Sequence, residues 1–282
     1  MYIYVQNQFE LCGGILLKKK IISLFLVIAV IVCMGGNLLQ LKENVYTASG
    51  NTEKGIEYLD KLSLQSVEEA LKEIKKVEEE YNSKIQTEEI KRKVKESLKL
   101  IKKGKKTYKK VFRDVVFAGD SLMAGLEAYD ILNKKKIVAQ VSASLYHLDE
   151  NLNKIIKKNP KVLILHYGIN MLATEEVYLN NYISMYTRLI KKLKKELPDT
   201  RIIVSLIFPV DRTVAKAKRF GRIPKYNKAL IKMSRELKVE YLDSSSVLKA
   251  HKECYGSDGI HQAKAFYDKY WLKFIMEEKG IY

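Results

Sequence analysis

Three short segments carry side chains that can act together on an acyl group. The first is Gly119-Asp120-Ser121-Leu122, directly after the apolar run 115–118. A serine at the start of a helix meets free backbone N–H groups and the positive end of the helix dipole, and both favour developing negative charge. Gly119 lets the chain turn sharply before it. Taken alone this segment says little, because serine is also a common helix N-cap. The second is Asp258-Gly259-Ile260-His261. A nucleophilic serine needs a base, and the base needs an orienting carboxylate. An aspartate three residues before a histidine supplies both from one turn of chain. The sequence has four histidines, His147, His166, His251 and His261. Only His261 has an acid at this spacing in a glycine-containing loop. His166, at the end of an apolar run, is expected to line the pocket; the other two are expected to cap, pack or face solvent. The third segment is Gly168-Ile169-Asn170, whose side-chain N–H can stabilise an oxyanion. By itself a turn asparagine is the commoner use of that residue.

The elements that must position these loops can be read from residue 111 onward. Short apolar runs at 115–118, 137–141, 162–165, 202–208 and 239–242 have the length of strands. Amphipathic patterns at 122–132, 147–158, 175–197, 223–237 and about 263–278 have the helical period. Strands alternating with helices imply a parallel sheet covered on both faces, and right-handed crossovers make it a doubly wound, three-layer α/β/α sandwich. In such folds the site lies at the carboxyl ends of the strands, where all three segments fall.

The order and wording of the motifs resemble the SGNH/GDSL hydrolase family. FAGDSL around Ser121 is similar to the family's first block, GIN at 168–170 to its Gly-x-Asn block and DGIH at 258–261 to its Asp-x-x-His block. Segments 207–210 and Tyr226-Asn227 are similar to others in the family. The resemblance covers roughly 111–282. It implies a flavodoxin-like fold and a Ser121, His261, Asp258 triad working through an acyl-enzyme. It also implies an oxyanion hole from the N–H groups of Ser121 and Ser142 and the side chain of Asn170, with Gly119, Asp120 and Gly168 in support. No metal or organic cofactor is implied. Two positions depart from the pattern. Ser142 stands where the family has a glycine, which strains the backbone if φ there is positive. Met171 stands where many relatives carry an acid.

The rest of the chain bears on location and partners. Residues 21–34 read IISLFLVIAVIVCM behind Lys18-Lys19-Lys20. With 35–39 the stretch approaches the ~20 residues that span a bilayer. The basic triplet should stay in the cytoplasm and send everything after it outside. This gives a cytoplasmic tail at 1–20, an anchor or signal segment at 21–39, a linker and charged helical stalk at 40–110, and the hydrolase domain at 111–282. The residues before Cys33 do not suit lipoprotein processing, and 45–48 offer a late cleavage site if the protein is secreted. Within the stalk, 37–62 read as an irregular linker. Ser66 and Glu69 have the capping-box form, Asn82-Ser83 marks a break between two helices, and Gly104 a stop. Residues 66–101 suit either self-association and spacing from the membrane or packing on the domain.

A hydrophobic content of 47% excludes wholesale disorder. The net charge of +18 favours anionic surroundings such as a wall polymer. Nucleic acid is not expected, because an exported domain without an aromatic-basic motif lacks the features of a nucleic-acid binder. The three cysteines show neither zinc-site nor disulfide spacing. The function expected is extracytoplasmic hydrolysis of acyl esters, of the O-acetyl type, on cell-wall or other glycans. An O-acyltransferase using the same triad, or a non-catalytic wall-associated protein, are the alternatives.

Overall fold

Five apolar runs pair into one parallel sheet at the centre of the computed structural model, which describes residues 52–282. The described residues divide into two units. In the first, which ends at Gln86, they are helical throughout; the second runs from Thr87 to Tyr282. Both contribute to one long helix, α1 (Thr52–Lys102). The expected irregular linker is therefore helical from Thr52, Ser66 lies inside the helix instead of capping it, and no break occurs at Asn82-Ser83. The span from 52 to 102 has no proline and is rich in Glu, Lys, Leu and Ile. A single Asn or Ser costs under ~1 kcal/mol in such a run, too little to end it. The stop comes where expected. Gly104 (φ +68°) donates to Ile101 O and Lys105 to Leu100 O, closing the last turn in a Schellman motif.

After the short α2 (Tyr108–Val111) the elements alternate: β1 (Val115–Gly119), α3 (Ser121–Ala128), β2 (Ile137–Ala139), α4 (Leu145–Lys158), β3 (Val162–His166), α5 (Glu176–Glu196), β4 (Arg201–Ser205), α6 (Ile223–Glu236), β5 (Glu240–Leu242) and α7 (Ser245–Ala250). A π-helical stretch, Phe266–Trp271, leads into α8 (Leu272–Lys279). The strand order is β2-β1-β3-β4-β5, all parallel. This is a doubly wound order whose direction of winding reverses between β1 and β3, which opens a crevice at their carboxyl ends.

Strands buried on both faces must be largely apolar, as β1 is and as β3 is up to His166. One side of the sheet packs Val116, Leu163, Leu165 and Val204 against α4, α5 and α6. The other packs Val115, Phe117, Ile164 and Ile203 with the aromatic group Phe208, Phe266 and Trp271. Val94 is buried in that second layer, so residues 87–110, read from sequence as stalk, belong to the compact unit with the sheet.

The fourth strand ends at Ser205, short of the expected 208. Asn227 accounts for this: its Oδ1 accepts the N–H of Ile207 and its Nδ2 donates to the Ile207 carbonyl, at 2.9 Å each. A side chain thus takes the backbone bonds that a sheet neighbour would have made. Among the described residues no helix is long and apolar enough to cross a membrane; the expected anchor at 21–39 lies outside them.

Candidate active site

At the end of β1 only glycine fits. A Cβ on Gly119 would stand 2.4 Å from Met123 Cγ and 2.6 Å from the His166 carbonyl oxygen. The next residue, Asp120, is the N-cap of α3, and its Oδ1 accepts the Leu122 N–H at 3.0 Å. Capping is therefore done by the aspartate, and the serine hydroxyl after it is released for other work. Ser121 Oγ lies 2.8 Å from His261 Nε2.

His261 Nδ1 lies 2.5 Å from Asp258 Oδ2, while Asp258 Oδ1 accepts the N–H groups of Ile260 and His261 at 2.9 Å each. Partial burial pushes the Asp258 pKa up, but these bonds to His261 and to the two backbone N–H groups outweigh it and hold it at about 2. An ionised Asp258 accepts from Nδ1–H, which leaves the lone pair on Nε2 facing the serine. The turn that carries both residues is closed by Gly259 (φ +65°), by Gly256 N–H donating to His261 O and by Ala263 N–H donating to Cys254 O. About half of each side chain in the His261–Asp258 pair is open to solvent.

The other two loops meet each other. Asn170 Nδ2 donates to the Ala143 carbonyl at 3.0 Å, beside Ser142, and keeps a second hydrogen for another acceptor. Gln140 N–H donates to Gly119 O at 3.3 Å, so the loop after β2 is tied to the end of β1. With Ser121 on His261, all four loops thus gather at one edge of the sheet. Gly168, at φ +153°, precedes Asn170; a Cβ there would stand 2.5 Å from Ile207 Cδ1.

The sequence profile of the GDSL-like lipase/acylhydrolase family matches residues 117–269, more than half of the chain. The chain belongs to this family. As a GDSL-like acylhydrolase it is a serine ester hydrolase. No curated protein matches it. Among solved structures it is similar to a GDSL-like lipase from Bacteroides thetaiotaomicron, at 13% identity and a TM-score of 0.46, over 65% of this chain and 96% of that one. It is also similar to an acetylxylan esterase from Geobacillus stearothermophilus, at 15% identity and a TM-score of 0.44, over 58% and 92%.

One sequence expectation about this GDSL-like hydrolase changes, and one condition set by the sequence is met. His166 does not line the pocket. It is buried, bonded through Nδ1 to Ser205 Oγ at 3.0 Å and packed on Phe208, and burial pushes its pKa down to about 3. It is a neutral core histidine. Ser142 does sit at positive φ, +61°, the conformation in which serine is strained. The other histidines behave as expected: His147 caps α4 through the Ser144 N–H, and His251 stacks on Tyr270.

The residues that hold the loops were less visible. Tyr226 OH donates to Met171 O and accepts from Ala173 N–H, Tyr182 OH donates to Tyr167 O, and Tyr255 OH donates to Pro209 O. Each ties down a backbone group, a role that side-chain type does not announce. Tyr226-Asn227 alone had a signal, in the family resemblance. Met171 Sδ accepts the Leu145 N–H at 3.4 Å, so this departure from the family pattern serves to join the third loop to α4. Asp120 has the most unusual environment. Burial pushes its carboxyl up to about 7, against the pull of the Leu122 N–H and His261, and its Oδ2 has no partner among the described residues.

Proposed function

We propose that Ser121 is the nucleophile, His261 the general base and then acid, and Asp258 the residue that orients it. The observation that carries this reading is the unbroken run of hydrogen bonds from Ser121 Oγ through both ring nitrogens of His261 to Asp258. Ser121 Oγ attacks the acyl carbonyl as its proton passes to His261 Nε2. The oxyanion is held by the N–H groups of Ser121 and Ser142 and by the second hydrogen of Asn170 Nδ2. Collapse expels the alcohol, which takes the proton from His261, and leaves an acyl-enzyme on Ser121. Water activated by His261 then releases the acid.

The substrate is a short acyl ester, of the O-acetyl type, on a cell-wall or other glycan, met outside the cytoplasm. The apolar segment at 21–39 behind Lys18-Lys19-Lys20 supports that placement. The test is hydrolysis of p-nitrophenyl acetate by the full-length protein beside Ser121→Ala and His261→Ala. Activity lost in both folded variants is the expected result; activity retained in either overturns the mechanism.

A further inference from the structure

The segment between β4 and α6 leaves the sheet at the same edge as the proposed triad and packs on the turn that carries it. Asp211 N–H donates to Gly259 O at 2.8 Å. Thr213 Oγ1, Val214 Cγ2 and Asp211 Cβ stand 3.1, 3.1 and 3.2 Å from the place where a Gly259 Cβ would be. The segment is a built structure. Val214 and Ala215 N–H groups donate to Asp211 O, Ala217 N–H to Val214 O and Phe220 N–H to Ala217 O, and buried Phe220 anchors its far end.

Its charge is one-sided. Arg212, Lys216, Lys218 and Arg219 are all exposed, and from 212 to 222 the sequence has no acid. The segment's own carboxylate, Asp211, is engaged by the N–H and hydroxyl of Thr213, and Asp258, on the turn it packs against, is engaged by His261 and the Ile260 N–H. None of the four cations forms an ion pair among the described residues, whereas the neighbouring Arg222 and Lys225 both pair with Glu176. Four cations without an ion pair, on an ordered ridge against the triad's own turn, give the segment a positive field that favours an anion lying across it.

We infer that residues 212–219 are a docking ridge for an acidic polysaccharide, which they hold while an ester on it reaches Ser121. The inference rests on the hydrolase reading for its second half only. An acidic glycan suits the place better than a lipid surface, because the segment packs on the turn that carries Asp258 and His261, where charge on the substrate chain itself is met.

The test uses full-length protein in non-ionic detergent and a triple variant, Arg212→Gln with Lys216→Gln and Lys218→Gln. Arg219 is left in place because it covers the Phe220 ring. The control removes the same charge elsewhere, with Lys191, Lys192 and Lys195 changed to Gln. These are exposed near the end of α5, at the opposite edge of the sheet. Binding to polygalacturonate is measured at about 0.01 M ionic strength, where charges are screened only beyond ~30 Å.

The ridge variant is expected to bind about tenfold more weakly and the control to change less than about twofold. The kcat/KM on acetylated polygalacturonate should fall in parallel, with p-nitrophenyl acetate unaffected. Equal loss in both variants would mean a generally basic surface and overturn the inference. So would a binding loss that leaves kcat/KM on the acetylated polymer unchanged, or loss of attachment to anionic lipid vesicles with polygalacturonate binding intact. Absence of hydrolysis by the wild type, with the binding difference present, would remove the hydrolase reading and leave the ridge standing.

Discussion

Replacing Asp120 with asparagine should change how stability depends on pH more than how it stands at any one pH. Asp120 is fully buried, caps α3 through Oδ1, and has no partner for Oδ2 among the described residues. Its carboxyl is pushed by burial from the ordinary 3.8 to about 7. A carboxyl whose folded-state pKa lies above its unfolded value binds its proton more tightly in the folded protein. Its contribution to stability is therefore greatest below the unfolded pKa. That contribution declines as pH rises through the interval, and the cost levels off above about pH 7.

At ~1.4 kcal/mol per pH unit, ionising Asp120 in place costs up to about 4 kcal/mol over the whole range, and about 3 kcal/mol of this falls between pH 5 and 8. Asparagine keeps the capping oxygen and cannot ionise. Its buried NH2 costs a similar amount at every pH, so it cancels from the pH dependence. Urea unfolding of wild type and Asp120→Asn at pH 5, 6, 7 and 8, analysed with a common slope, gives the difference directly. The variant should gain on the wild type by about 3 kcal/mol from pH 5 to 8. A difference that stays flat would mean that Asp120 is ionised throughout, and would refute the reasoning.

Two further predictions concern the oxyanion loops. Ser142→Gly removes a Cβ from a residue at φ +61° while keeping its N–H. Thermal unfolding should show a gain of about 1 kcal/mol, less what glycine loses in the unfolded chain, and kcat should stay within a few-fold. Asn170→Ala removes the proposed third donor. It should lower kcat for p-nitrophenyl acetate by about 100-fold or more with little change in KM, and an unchanged kcat would take Asn170 out of the oxyanion hole.

The sequence was most readable where chemistry and backbone make the same demand. Gly119 and Gly168 mark positions that no side chain can occupy, the strand runs are apolar because both faces are covered, and the Asp-x-x-His turn brings Asp258 and His261 into one hydrogen-bonded unit. Failures came where a tertiary partner decided the outcome. His166 looked like a pocket residue because it ends a strand, but its ring turns to Ser205 and Phe208. The strand expected at 202–208 stops at Ser205 because Asn227, twenty residues from Ile207 in the chain, replaces the ladder there. The break expected at Asn82-Ser83 does not occur, because the strong formers on either side carry one helix through it. Capping by Asp120 instead of Ser121 was also out of reach, since both residues are good caps and only the geometry separates them.

The central claim is that Ser121 is activated by His261 to attack an acyl group. Its most direct test is labelling with a fluorophosphonate, which reacts only with an activated serine, followed by mapping of the adduct by mass spectrometry. One adduct is expected, on the peptide containing Ser121, and none on folded His261→Ala. An adduct on a different serine, or full labelling of Ser121 in the His261 variant, would contradict it.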